Sequence, residues 1–519
     1  RVSNRRFIFY NDSRHYYMYC YDPPITMEDA WAPIDEIAGT GVDTFVYGSG
    51  GGPIMLHDTK AGEIWGTRLI KAGRAFDKNN PSVLFGFSEW RAYENVKSLM
   101  DRGLDPMNVL IDRAHDKGLD FFTSLRLVHH PDPKQPDHTH TWQFKTDHPE
   151  WCIKGKGQYN FNWVYPEVHA GWLAIVEETV NRYNIEGFEV DLVFQPYYFE
   201  EGEGKKNQNI LTNFMRDVRK TVDEAAKKRG KPIVLGARIL PTEPGNQAQG
   251  IDVATWIKEG LLDFVVPNFY IDHQVDSDFP FEWLVELSKN TSCEVYPCLQ
   301  SRTWLGMRDS RTRRRWDYAN EIKLPREHPA SIEHFRAGAA AYWNKGADAI
   351  YIPWFHWPLD SEARQILTEL HDSDLLREKT KHYVTRRHHE GAASHGYTAS
   401  LPIQLSADAG APVQTVPLFI ADDPNLGKAV LALQLVGATT YDVIDVTVNG
   451  TTLPSETSSW TEYGGYRYAS LEYPLSNGSW QKGRNEIGVS LRSRPSNLNA
   501  LVLVESVEMS ITYPKHIAP

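Results

Sequence analysis

The fold class that the sequence predicts is α/β: a (β/α)8 TIM barrel followed by a C-terminal β-sandwich. Three observations lead there. From Arg6 to about Asp372, short apolar runs alternate with longer amphipathic stretches, as parallel strands alternate with crossover helices. The apolar runs are too uniformly hydrophobic to leave one face wet, as expected of strands covered on both sides. Beyond Asp372 the pattern shifts to short alternating runs with Asn-Gly pairs between them, the mark of antiparallel hairpins.

The strand candidates, in order, are Phe7–Asp12, Thr44–Gly48, Asp120–Val128, Gly187–Phe194, Ile233–Leu240, Phe264–Ile271, Glu294–Gln300 and Ala349–Phe355. Helical periodicity runs through Met107–Lys117, Ala170–Tyr183, Asn209–Lys228, Ala330–Lys345 and Glu362–His371. Gly118, Gly230, Gly260 and Gly346 each follow a helical pattern and precede a strand, so they are expected helix stops. Two long connections, Gly50–Asn95 and His129–Pro166, follow strands two and three at the face where barrel enzymes build their sites. Residues 1–375 are assigned to the barrel and 376–395 to a linker, whose charged part Glu378–Glu390 is expected as an exposed linker or terminal helix. Residues 396–519 are assigned to the sandwich, on runs such as Ala429–Val436, Asp442–Val448, Arg467–Leu471, Glu486–Leu491 and Val502–Ile511.

Composition narrows the function. The net charge is −12, which argues against a general nucleic-acid binder but leaves room for local arginines to hold an anion. No apolar run approaches the roughly 18 residues that a membrane span needs, so no membrane partner is expected. The four cysteines show no zinc spacing, and Cys293 and Cys298 on one strand should point to opposite faces. Sixteen Trp is high; a large core and a sugar cleft both use such rings. The chain begins at Arg1 without Met, from which a processed or trimmed N-terminus is expected, and a secreted or periplasmic location goes with the reading below. Oligomeric state is not legible.

Alternation along strand four turns Phe188, Val190, Leu192 and Phe194 to the helices, and Gly187, Glu189 and Asp191 to the interior. Two inward carboxylates are costly unless paired or used. Asp191 is nearer the C-terminal mouth and is the better candidate to touch substrate; Glu189 lies one layer deeper. Glycoside cleavage needs two carboxyl groups across the scissile bond. Asp191 supplies one, Asp272 is the preferred second, and Glu189 and Asp12 are rivals. Other strand ends add Arg126, His129, His130, Arg238, Asn268, Tyr270, Gln300, Arg302, Trp354 and His356 as substrate-binding candidates. The arginines suit a carboxylate or sulfate on the sugar, or else neutralise the inner carboxylates. No cofactor is expected. A metal reading of His129, His130, His138 and His140 with Asp132 and Asp137 fits no strict motif, and no metal is assigned.

These residues resemble a family. The core Gly187-x-Glu189-x-Asp191 within Glu186–Phe194 is similar to that of the family-10-like glycosyl hydrolases of bacteria. So are Arg5–Asp12, Gly118–Arg126, His148-Pro-Glu-Trp151 and Tyr165-Pro-Glu-Val168. The resemblance covers most of residues 5–372 and implies a barrel with a strand-four aspartate, matching Asp191. The strand also resembles the chitinase pattern, but the last acidic position there falls on Val193, which disfavours that chemistry. No pair of glutamates at strands four and seven matches the true family-10 xylanases.

The expected function is hydrolysis of a poly- or oligosaccharide, with a carbohydrate substrate as partner. The alternatives are a non-catalytic sugar-binding protein, a metal-dependent esterase or deacetylase, and a polysaccharide lyase.

Overall fold

A computed structural model describes residues 6–12, 20–48, 50–71, 83–135, 140–270, 272–304, 327–353, 355, 358–408, 410–462 and 468–514. The chain divides into two compact units: one of Arg1–Tyr270, Phe281–Cys298 and Ala347–Leu359, the other of Ile271–Pro280, Leu299–Gly346 and Asp360–Pro519.

The first unit is mixed α/β around a curled parallel sheet. Its eight strands are β1 (Phe7–Asp12), β2 (Thr44–Gly48), β3 (Asp120–Arg126), β4 (Gly187–Asp191), β5 (Val234–Ile239), β6 (Phe264–Pro267), β7 (Glu294–Val295) and β8 (Ile350–Ile352). They run in the order β7-β6-β5-β4-β3-β2-β1-β8, and every pairing is parallel. The edge strands also meet: Tyr351 N donates to Pro297 O at 3.2 Å, Asp348 N donates to Val295 O at 3.0 Å, and Cys298 bridges Tyr351 in parallel.

Several strands are shorter than the apolar runs that predicted them. Strand four ends at Asp191 rather than Phe194, strand three at Arg126 rather than Val128, and strand seven spans two residues. Pro297, which has no N–H to donate, interrupts the last of these. Apolar content marks burial, and burial continues past the last ladder bond.

The helices use local signals that the sequence carries. In α1 (Met27–Asp35) the Thr26 hydroxyl accepts from Asp29 N at 3.1 Å. In α2 (Pro106–Asp116) Asp105 caps Met107 N at 2.9 Å, and Pro106 opens the first turn. The helices α3 (Pro166–Arg182) and α4 (Gly204–Arg229) flank β4 in sequence, and Gly230 ends α4 with φ 72°, a left-handed turn that suits a residue without Cβ. The other expected stops, Gly118, Gly260 and Gly346, also take positive φ, at 75°, 67° and 93°. Among the described residues no helix is long and apolar enough to cross a membrane.

In the second unit two antiparallel sheets share one apolar core. The first holds β9 (Lys381–Val384), β10 (Ile403–Leu405), β12 (Lys428–Val436), β15 (Ser459–Glu462), β16 (Tyr468–Leu475) and β18 (Val502–Thr512). The second holds β11 (Gln414–Ile420), β13 (Val443–Val448), β14 (Thr451–Thr452) and β17 (Gly483–Ser493). Leu431, Leu433 and Val507 from one sheet join Val416, Val446 and Ile487 from the other in a single cluster. Pro417 sits on β11, an edge strand, where its missing N–H costs least.

The segment Glu378–Glu390 corrects an expectation. Instead of an exposed linker or helix, it contains β9, paired antiparallel with β18. Its charges are matched at close range: Lys381 Nζ lies 2.8 Å from Asp422 Oδ1, and His382 Nε2 lies 2.7 Å from Glu508 Oε2. A charge run reads as solvated only until its partners, here 40 or more residues away, are known.

Candidate functional site

Cross-strand register builds the site. Arg126 on β3, Asp191 on β4 and Arg238 on β5 stand abreast, and Ser124, Glu189 and Gly236 form the row beneath. Because side chains alternate, these rows share the inner face with Tyr10, Phe122, Val266, Cys298 and Tyr351, which form one core cluster. Gly187 leaves room there: a Cβ would meet two ring carbons of Phe122 at 2.6 Å.

An acid thus lies between two bases. Asp191 Oδ2 is 3.6 Å from Arg126 Nε and 3.7 Å from Arg238 Nη1, while Oδ1 accepts from Val193 N at 3.0 Å. Oδ2 has no hydrogen-bond partner among the described residues. Glu189 Oε1 accepts from Ser124 Oγ at 2.6 Å, Arg238 Nη2 at 2.8 Å and Tyr351 OH at 3.3 Å. Arg126 Nη2 donates to Tyr10 OH at 3.1 Å and to Asp12 Oδ2 at 3.2 Å. The result is a chain of alternating charge, Glu189–Arg238–Asp191–Arg126–Asp12. It is sealed from solvent: Glu189, Asp191 and Arg238 are 0% exposed, Asp12 2% and Arg126 3%.

Burial dominates the electrostatics. It raises the Glu189 carboxyl above its usual range, against the opposing pull of Arg238 and Ser124. Burial also works against the charge of Arg126 and Arg238. Their neighbours outweigh it, chiefly Tyr10 and Asp12 for Arg126 and Glu189 for Arg238, so both stay firmly protonated.

Aromatic rings surround the guanidiniums. Arg238 lies 4.2 Å from the Tyr10 ring centre and 4.9 Å from that of Tyr351. Arg126 lies 4.6 Å from Phe194 and 5.3 Å from Tyr270. Such contacts favour desolvated cations.

The sequence-derived candidates separate into groups. Asp12, Arg126, Glu189, Asp191 and Arg238 come together in one network, and Tyr270 joins it through Arg126. Asn268 is buried one residue past β6. His130 is exposed, its ring 5.8 Å from Phe194. His129 serves the long connection after β3: it is buried, its Nε2 is 2.6 Å from His140 O, and its carbonyl accepts from Lys145 Nζ at 2.6 Å. Burial, then Lys145, holds the His129 imidazole well below its usual range.

In the second unit Asp272 is buried, with Oδ2 ion-paired to Arg386 and Oδ1 accepting from Gln274 Nε2 at 2.9 Å. Gln300 is buried, and the side chain of Arg302 is exposed at the start of a short hairpin strand, Arg302–Trp304. Trp354 and His356 lie outside the described residues, as do His138 and Asp137 of the metal reading. Among the described residues no three His, Cys, Asp or Glu side chains come together to hold an ion.

Tyr10, Ser124, Tyr351 and Phe194 belong to the site and were not singled out from sequence. Tyr10 was within reach, since alternation puts it on the same face as Asp12. Alternation predicts Phe194 among the helix-facing residues, but the ladder ends at Asp191 and Phe194 lies against Arg126 instead.

Comparison with known proteins bears on this region directly. Residues 78–231, which include β3, β4 and Asp191, match the family model described as Glycosyl hydrolase-like 10. "Glycosyl hydrolase YngK" of Bacillus subtilis (strain 168) is 25% identical over 219 residues, a match covering 36% of this chain and 42% of that protein. The chain thus spans less than half of that relative's length. Among solved structures, the PgaB (BpsB) glycoside hydrolase domain from Bordetella bronchiseptica is 10% identical and covers 70% of this chain and 98% of its own, with TM-score 0.41. The alpha-amylase from Geobacillus thermoleovorans is 9% identical and covers 95% and 100%, with TM-score 0.40. At that level the structural likeness carries no argument about chemistry. Through residues 78–231, the resemblance of this chain is to the glycosyl hydrolase-like 10 family.

Proposed function

We propose that the chain is a secreted or periplasmic glycoside hydrolase of poly- or oligosaccharides, built as a (β/α)8 barrel with a C-terminal β-sandwich. One observation carries the reading. Within the glycosyl hydrolase-like region, the strand-four carboxylate Asp191 sits between two guanidiniums, with one oxygen that has no hydrogen-bond partner among the described residues. A carboxylate held in that way is oriented without being consumed, which suits a group that attacks an anomeric carbon or activates water. Arg238 stands abreast of it, and Glu189 in the row beneath holds Arg238 in place. For the second carboxyl, Asp272 was the preferred choice, but its two oxygens are taken by Arg386 and Gln274. Asp12 shares Arg126 with Asp191 and is the partner this reading assigns.

The test is release of reducing ends from a panel of plant and algal polysaccharides. Asp191→Asn should lower turnover by about 10²–10⁴-fold, the size of a lost acid–base or nucleophilic role, and Asp12→Asn should follow it. Full turnover in Asp191→Asn sinks the assignment.

A second reading, a non-catalytic sugar-binding protein, draws on the enclosure of all three carboxylates, none more than 2% exposed. It requires that wild type bind a polysaccharide and release nothing from it.

A further inference from the structure

Above the sealed charges, the described residues include two partly buried rings that keep some exposure. Phe194 and Tyr270 have centroids 4.4 Å apart with planes at 70°, and both lie against the buried Arg126. They form a corner of one ring face and one ring edge. Phe194 reaches it because the chain leaves the sheet after Asp191, and Gln195 next to it takes a left-handed backbone with φ 50°. The same guanidinium that carries the corner also faces Asp191 Oδ2, the fully buried oxygen with no hydrogen-bond partner among the described residues. The aromatic corner and the Asp191 ion pair therefore meet on one guanidinium.

The charge count points to the kind of ligand. Among the described residues, three carboxylates, Asp12, Glu189 and Asp191, share two guanidiniums, Arg126 and Arg238. Those arginines already face the protein's own acids, so a carboxylate or sulfate brought there would compete with Asp12, Glu189 and Asp191 for them. An uncharged sugar ring offers what the corner can use: a C–H face for the aromatic rings.

We propose that Phe194 and Tyr270 form a stacking subsite that takes an uncharged pyranose ring beside Asp191. The inference deepens the glycosidase reading and rests on the same site, but it is tested by binding instead of turnover. The measurement is affinity electrophoresis of the full chain in gels containing soluble mixed-linkage β-glucan, xylan, galactomannan, polygalacturonate or carrageenan.

At least one neutral gel should retard the wild type. Phe194→Leu, which keeps apolar bulk without a ring, should weaken that retardation at least tenfold, and Phe194→Tyr should keep it. Retardation only by polygalacturonate or carrageenan, retardation by no gel, or equal retardation of wild type and Phe194→Leu overturns the subsite. If Phe194→Leu loses binding while wild type releases no reducing ends, the subsite stands and the hydrolase reading falls. If binding is unchanged while turnover depends on Asp191, the hydrolase stands and the subsite falls.

Discussion

Arg238 joins two carboxylates of one strand: its Nη2 lies 2.8 Å from Glu189 Oε1 and its Nη1 3.7 Å from Asp191 Oδ2. Neighbouring inward positions on a strand would otherwise set like charge near like charge in a medium of low polarity. The guanidinium of the next strand makes the arrangement tolerable.

Removing that bridge should destabilise the first unit. Arg238→Met leaves two buried carboxylates without their shared cation, and breaking a buried pair from one side costs about 3–5 kcal/mol. Adding Glu189→Gln should recover part of the loss, because it removes one of the stranded charges. Urea unfolding of the single and double variants measures both effects; a single variant as stable as wild type would remove Arg238 from this role.

Packing makes a separate prediction. Gly187→Ala places a methyl 2.6 Å from two carbons of the Phe122 ring, inside the closed interior of the sheet. Overpacking of this kind costs about 1–3 kcal/mol. A denaturation midpoint unchanged from wild type would show that Phe122 yields freely.

Asp272 should prove structural. Arg386→Met strips the cation from both Asp272 and Asp276, whose Oδ2 lies 4.0 Å from Arg386 Nε, and should cost about 3–5 kcal/mol. Asp272→Asn keeps one acceptor and should leave turnover within a few-fold of wild type. A loss matching that of Asp191→Asn would return Asp272 to the catalytic pair.

Acid should weaken the second unit through Glu369. Burial alone would raise this carboxyl, but bonds from Arg336, Lys379 and Gln365 outweigh it and bring it from 4.5 down to about 2. The unfolded chain takes up the proton first, so the stabilisation is present above the unfolded value and is lost as pH falls towards about 2. Melting temperatures from pH 6 down to about 2 should fall less steeply in Glu369→Gln than in wild type; parallel curves would rule out the contribution.

Much of the fold was legible. Helix stops such as Gly230, caps such as Asp105 with Pro106, and the apolar runs of β1 and β2 act over a few residues, so composition and order suffice to find them. The segment around Lys381 was not legible, because Asp422 and Glu508 neutralise it from far along the chain. Within the site, inward placement of Glu189 and Asp191 followed from alternation alone. The place of Phe194 did not, since alternation stops where the hydrogen-bond ladder stops, and that end is set by neighbouring strands.

The sequence by itself determined which side chains of a strand share a face, because a two-residue period is a local property of the backbone. It also determined the likeness to the glycosyl hydrolase-like 10 family, which lies in contiguous motifs. Only the tertiary structure decided that Asp191 stands level with Arg126 and Arg238. Register between parallel strands depends on helical crossovers and on core packing, and a slip of one residue turns every side chain to the other face. Of the two roles the sequence leaves open for Arg126 and Arg238, a hold on an anionic sugar or a counter-charge to inner carboxylates, the folded chain shows the second.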